Sequence, residues 1–257
     1  MFKKALSAKA LLYPLFMLLA MWSGYFLQLH GVFEGCWGAI IPLVPQGLKG
    51  VIFSPLLHGN FEHLFGNSVP IAVLMFLLYQ FYPKVAGKVF VLGWLLTGFL
   101  VWLLPPIDVF TGQYVNSCII GASGIVYVLA FFLFFSGVFK RNLMLMAISL
   151  VVALSYGSLI WGVFPEEFFV MPENRSNISW QSHLSGAAIG ITMAFIFRNV
   201  GEKRKKFIWQ FPNYYSEKDD RLWQEYRENH PEDFQEMPQK KKEDIWKHLD
   251  EIRKNSR

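Results

Sequence analysis

Long apolar stretches alternate with short polar hinges over residues 10–197 of the chain. Six such stretches can be drawn, at 10–29, 64–82, 87–104, 121–139, 143–164 and 182–197. Each approaches the run of about 20 apolar residues that a helix needs to cross the roughly 30 Å hydrocarbon layer of a bilayer. Helical periodicity says little here, because a helix among lipid tails is apolar on most of its faces. Length and flanking charge carry the reading instead. Lys3, Lys4 and Lys9, then Lys84 and Lys88, then Lys140 and Arg141, then Arg198 and Lys203–Lys206 all fall on one side, and only Lys49 and Arg175 fall on the other. Basic residues gather on the cytoplasmic side, so the pattern predicts six spans with both termini in the cytoplasm.

The connections differ in character. Residues 30–63 are rich in glycine, proline and aromatics, too interrupted for a span, and their apolar content (Trp37, Ile40, Ile41, Val51, Ile52, Phe53) places them in the outer interface. Residues 105–120 form a polar-edged loop, and 165–181 set Phe168, Phe169 and Met171 beside Glu166, Glu167 and Glu173. Beyond about residue 199 the chain turns polar. Segments 216–229 and 240–254 read as short amphipathic helices in a soluble tail, a solvated extension before it is a partner-binding element. The expected fold class is therefore an all-α membrane protein, with a six-helix bundle over 1–198 and a cytoplasmic polar tail over 199–257.

Composition sharpens this. Of 257 residues, 53% are hydrophobic and only 17% charged, against about 25% in soluble domains. The net charge of +5 points only weakly to a nucleic-acid partner, since in a membrane protein basic residues more often set orientation. The basic start before the apolar run from Ala10 resembles a signal peptide, but that run is longer than a signal core and lacks a small-residue cleavage site, so it is read as a retained first span. Cys36 and Cys118 both fall in outward segments without metal-type spacing. They are read as two free, partly buried thiols, a bridge being the lesser alternative. Oligomeric state is not legible. The absence of a targeting segment and the compact plan suggest a bacterial inner membrane.

Polar groups inside spans are costly unless they face protein or water, which makes them functional candidates. Three sets stand out. Gly121-Ala122-Ser123-Gly124 opens the fourth stretch, where the positive end of a helix dipole favours negative charge developing on a serine oxygen. Ser182-His183 opens the sixth, followed by Gly186 and Gly190, whose spacing permits close helix contact. His58 and His63 lead to Asn67 at the entry to the second. His63 and Asn67, four residues apart, share a helix face and can both donate hydrogen bonds. Alone, each set also reads as an ordinary helix cap, packing motif or interfacial anchor.

Depth joins them. Ser123 lies 17 residues from Lys140, Asn67 lies 17 from Lys84, and His183 lies 15 from Arg198. At about 1.5 Å per residue, all three stand roughly 22–26 Å above the inner edge, in one layer below the outer surface. This predicts a water-accessible cavity open to the outside. There Ser123 would attack a peptide carbonyl, and His183 would take its proton and return it to the leaving amine. The Ser123 N–H, His63 and Asn67 would hold the oxyanion. No acidic residue in a span is available to orient the histidine, so a dyad is expected. Tyr127, one turn below Ser123, would stack on His183.

These residues resemble those of the rhomboid intramembrane serine proteases: Gly121-Ala122-Ser123-Gly124 with Tyr127, His183 with Gly186 and Gly190, and His58 and His63 leading to Asn67 in the family spacing. The resemblance covers about residues 8–198. It implies a rhomboid-like bundle that cleaves single-span membrane proteins near the outer face, without metal or cofactor, with the bilayer and transmembrane substrates as partners. It implies oxyanion roles for His63 and Asn67 and a structural or water-holding role for His58. It also implies a substrate gate at 143–164 and a cap at 165–181. Many rhomboids carry a Trp-Arg pair in the first outer loop; here Gly38 follows Trp37, which leaves the anchoring of that loop open. The competing class is a non-catalytic relative that escorts membrane clients, and such relatives usually lack the serine or the histidine. A transporter would place polar groups at the midplane or show repeats. A metalloprotease would need His-Glu-xx-His spacing.

Overall fold

The computed structural model describes residues 6–105, 107, 112, 114, 117–165, 168, 179–201 and 217–234. Its helices are α1 (Ala8–Leu29), α2 (Gly50–Phe53), α3 (Phe61–Phe81), α4 (Ala86–Leu103), α5 (Ser123–Lys140), α6 (Leu143–Tyr156), α7 (Trp180–Ile196) and α8 (Glu217–Asn229). Among the described residues, extended pairing is limited to two isolated bridges, Ile40 with Ile119 and Ile107 with Tyr114. Four helices, α1, α3, α4 and α5, are long and apolar enough to cross a membrane, and α6 is a shorter apolar helix. The chain divides into two compact units, residues 1–204 and 205–257.

The helix ends follow from local sequence. The Asn60 side chain caps α3 by accepting the His63 N–H at 2.7 Å, leaving the first turn anchored where the polar candidates begin. Ser179 caps α7 by accepting the Ser182 N–H at 3.3 Å. α5 stops where Arg141 turns left-handed, with φ 48°. Asn142 then starts α6 by accepting the Met144 N–H at 3.1 Å. The sequence pattern predicts one stretch over 143–164, but the α-helix ends at Tyr156 and continues as a 3-10 helix, Gly157–Val163. Glycines at 157 and 162 weaken the α-helix there, and Pro165 cannot supply an N–H to continue it.

α5 forms the centre of the first unit, packed against α3, α4, α6 and α7. Phe132, Leu129 and Leu133 on α5 are fully enclosed, with Leu74, Met75 and Leu78 of α3 in the same core. α6 is tied to α5 by the Ser149 hydroxyl, 2.8 Å from the Phe134 carbonyl. α1 docks on α3 through the stacked Tyr13 and Tyr79 rings and a Trp22 indole N–H donated to Ser68 at 3.2 Å.

The loop between α1 and α3 is a folded platform. Ile40 and Ile119 exchange backbone hydrogen bonds of 2.9 Å, and the Gly121 N–H donates to the Ser54 carbonyl at 2.8 Å. Trp94 and Trp102 of α4 donate their indole N–H groups to the Val51 and Val44 carbonyls. Trp37, without the Trp-Arg pairing, stacks on Phe33 and carries the Lys49 ammonium 5.0 Å above its ring. The same register corrects the reading of the cysteines. Cys36 and Cys118 form a disulfide with Cα atoms 5.5 Å apart, and both are exposed. Their pairing could not be read from the sequence because 82 residues separate them and the two loops meet through tertiary contacts such as the Ile40–Ile119 pairing.

In the second unit, α8 spans Glu217–Asn229, matching the amphipathic segment expected at 216–229, with Trp223 and Tyr226 stacked at 6.0 Å. The segment expected at 240–254 lies outside the described residues, as do Phe169 and Met171 of the 165–181 loop.

Candidate active site

Ser123 is the first residue of α5 and is half-buried. The chain enters this helix through Gly121, whose φ of +112° is a conformation that side-chain-bearing residues rarely adopt. Gly121 also lies under the His63 ring: a methyl group there would come within 2.6 Å of His63 Nε2 and 3.7 Å of Asn67 Nδ2. Thus the loop leading to Ser123 rests against both polar residues of α3. Asn67 is 6% exposed, and its side-chain N–H group is buried with no hydrogen-bond partner among the described residues. An unspent buried donor of this kind is uncommon and costly.

α7 meets α5 backbone to backbone. A methyl on Gly186 would run into the Gly124 carbonyl oxygen, and one on Gly190 would come within 2.6 Å of the Val128 carbonyl. Gly124 in turn has room for no side chain beside the Ser182 hydroxyl, 2.8 Å from its would-be Cβ. This close approach fixes the height of His183, one turn above Gly186. The His183 and Tyr127 rings stack with centroids 4.2 Å apart and planes 10° apart. Tyr127 follows Ser123 by four residues, so the stack lies one helical turn below the serine, on its side of α5. His183 is 6% exposed, and its Nδ1 lies 2.9 Å from the Gly162 carbonyl oxygen.

His58 stands apart from this arrangement. It is 1% exposed, its backbone N–H donates to Gln28 at 2.9 Å, and its ring packs edge-on to His63 at 5.0 Å. Burial, reinforced by the neighbouring His63, pushes its ring from 6.5 down to about 3, so it is neutral at physiological pH. Its ring nitrogens have no partner among the described residues.

Two participants, Gly162 and Thr97, escape sequence reasoning. Gly162 approaches through its backbone, which no residue pattern announces. Thr97 and Ser182 line a water-sized cavity of about 20 Å³ with Ser54, Gly121 and Gly124. The Thr97 hydroxyl is buried without a partner among the described residues. A lone threonine in an apolar helix carries no sequence signal for such a role. Among the described residues, no group of three or more His, Cys, Asp or Glu gathers in a metal-holding arrangement.

Fold and apolar helices define an integral membrane protein in which a serine-bearing and a histidine-bearing helix adjoin. The chain belongs to the rhomboid family: residues 45–200 match the rhomboid domain. Most members of that family are intramembrane serine proteases acting on transmembrane substrates. The chain is also 37% identical over 166 residues to an uncharacterized protein of Mycobacterium tuberculosis and to one of Mycobacterium bovis, matches covering 61% of this chain and 62% of each relative. An uncharacterized protein of Mycobacterium leprae is 31% identical over 154 residues, 58% of this chain and 56% of the relative. The matched part thus spans about three-fifths of the length of these relatives.

Proposed function

We propose that this protein is an intramembrane serine endopeptidase that cuts transmembrane proteins near the outer membrane face through a dyad of Ser123 and His183. The observation that carries the reading is the Tyr127–His183 stack one turn below Ser123, held in place by the contact of Gly186 with the Gly124 carbonyl. In this reading the imidazole takes the Ser123 proton as the hydroxyl attacks the scissile carbonyl, then gives it to the departing amine. The oxyanion forms beside the Ser123 N–H at the start of α5, where the helix dipole favours it, and draws a hydrogen bond from Asn67. His63, resting on Gly121, is the second side-chain donor. Gly121, Gly124, Gly186 and Gly190 set the approach of the backbones, and His58 supports His63 from behind.

The bundle is read as six spans. α6 with its 3-10 continuation covers 14 and 7 residues, and α7 covers 17, about 26 Å at 1.5 Å per residue. The disulfide supports the orientation: Cys36 and Cys118 both lie at the serine end of the bundle, and such bonds persist on the oxidising side of a membrane. Both termini would then be cytoplasmic, in a bacterial inner membrane, with the polar tail beyond residue 198 as an appendage. In proteoliposomes with a tagged single-span substrate, Ser123→Ala and His183→Ala should each abolish cleavage while the purified proteins stay folded. Cleavage at the normal rate by either variant would overturn the dyad, and a wild type that cuts no substrate would leave the reading of a client-escorting relative.

A further inference from the structure

Resting on the dyad reading, we infer that Gly162 is a positioning residue: its main-chain carbonyl holds the proton of His183 on Nδ1 and so presents Nε2 as the base. A carbonyl oxygen only accepts hydrogen bonds, so the 2.9 Å contact requires Nδ1–H as donor. A neutral imidazole carries one N–H, so Nε2 is then the unprotonated nitrogen, the form a base acting on the serine hydroxyl requires. Orienting the ring and fixing its tautomer is the service a carboxylate performs in a Ser-His-Asp triad. Here it comes from the backbone of the turn after α6.

Two local features make this carbonyl available. In the 3-10 helix Gly157–Val163 each carbonyl seeks the N–H three residues on, and the residue three after Gly162 is Pro165, which has none. The carbonyl is therefore left over by its own helix. Position 162 must also lack a side chain. A methyl there would strike the Tyr127 hydroxyl and stand 3.0 Å from His183 Nδ1. The φ of Gly162 is not in the left-handed region, so glycine is required by proximity and not by backbone conformation. The turn after α6 thereby touches both members of the ring stack, and its displacement would release the histidine.

The test uses the full chain in detergent, labelled with ¹⁵N-histidine, at a pH where the ring is neutral, with His183→Ala identifying the His183 signals among those of the six histidines. The wild type should show a protonated Nδ1 and an unprotonated Nε2. Gly162→Ala should move His183 toward a mixture of tautomers and lower kcat on the order of 100-fold, with KM nearly unchanged. Pro165→Ala, which restores a competing N–H, should shift the tautomer in the same direction with a smaller loss of kcat. A wild-type His183 protonated on Nε2, or a Gly162→Ala variant with unaltered tautomer and kcat, would overturn the inference while the dyad stands. Cleavage by Ser123→Ala would instead sink the dyad reading itself. Should Gly162→Ala fail to fold, the wild-type spectrum and Pro165→Ala still decide.

Discussion

The histidine touches two walls of very different build. On one side, α7 lies against α5 with glycine facing backbone, so the Tyr127–His183 stack rests on contacts that have no side-chain freedom. On the other, the 14-residue α6 ends early, and a 3-10 turn reaches the site with one carbonyl. α6 also turns much of its surface outward: Leu154 is 78% exposed and Leu150 is 59% exposed. Backbone-to-backbone packing stores its precision in sterics and tolerates no added volume, whereas the second wall meets the histidine through a main-chain hydrogen bond from a turn whose helix leaves one face uncovered. In the proposed protease, the first wall sets the spacing of the helices that carry the reacting groups and the second orients the imidazole.

The contrast can be broken most forcefully at Gly186. A valine there must displace the Gly124 carbonyl or Tyr127, costing about 3 kcal/mol, and should remove cleavage; thermal unfolding in detergent and the liposome assay would read both. An active Gly186→Val protein of unchanged stability would mean that the first wall is not rigid. Asn67→Ala probes the spare donor. It should lower kcat on the order of 100-fold without loss of stability, whereas an unchanged kcat would reduce Asn67 to a structural role. Cys36→Ser, or reduction of the bridge, should lower stability by about 2 kcal/mol and slow cleavage modestly, since the platform also rests on the Ile40–Ile119 hydrogen bonds. At the small end, Leu154→Ala on the outward face of α6 should change stability by less than about 0.5 kcal/mol. A large loss there would show that α6 is held more firmly than its exposure suggests.

What was legible in the sequence divides along the same line. Apolar length located α1, α3, α4 and α5 to within a few residues, because a helix that must satisfy its own backbone in lipid leaves a long uninterrupted signature. The glycine spacings at 121, 124, 186 and 190 announced the close wall, since side-chain absence is itself written in the sequence. The second wall was not legible. The switch from α- to 3-10 helix after Tyr156 depends on Gly157, Gly162 and Pro165 acting together, and the 143–164 stretch is apolar throughout. The Gly162 carbonyl is a group every residue possesses, so only tertiary structure distinguishes it. The disulfide was misread for a related reason: its partners meet because two loops pair, and loop pairing leaves no periodicity.

The central claim is that Ser123 is a nucleophile activated by His183, and covalent trapping tests it most directly. A fluorophosphonate incubated with the membrane-reconstituted protein should leave a single adduct, located by mass spectrometry on the peptide containing Ser123, with labelling lost in both Ser123→Ala and His183→Ala. An adduct on another residue, or full labelling of Ser123 without His183, would contradict the account.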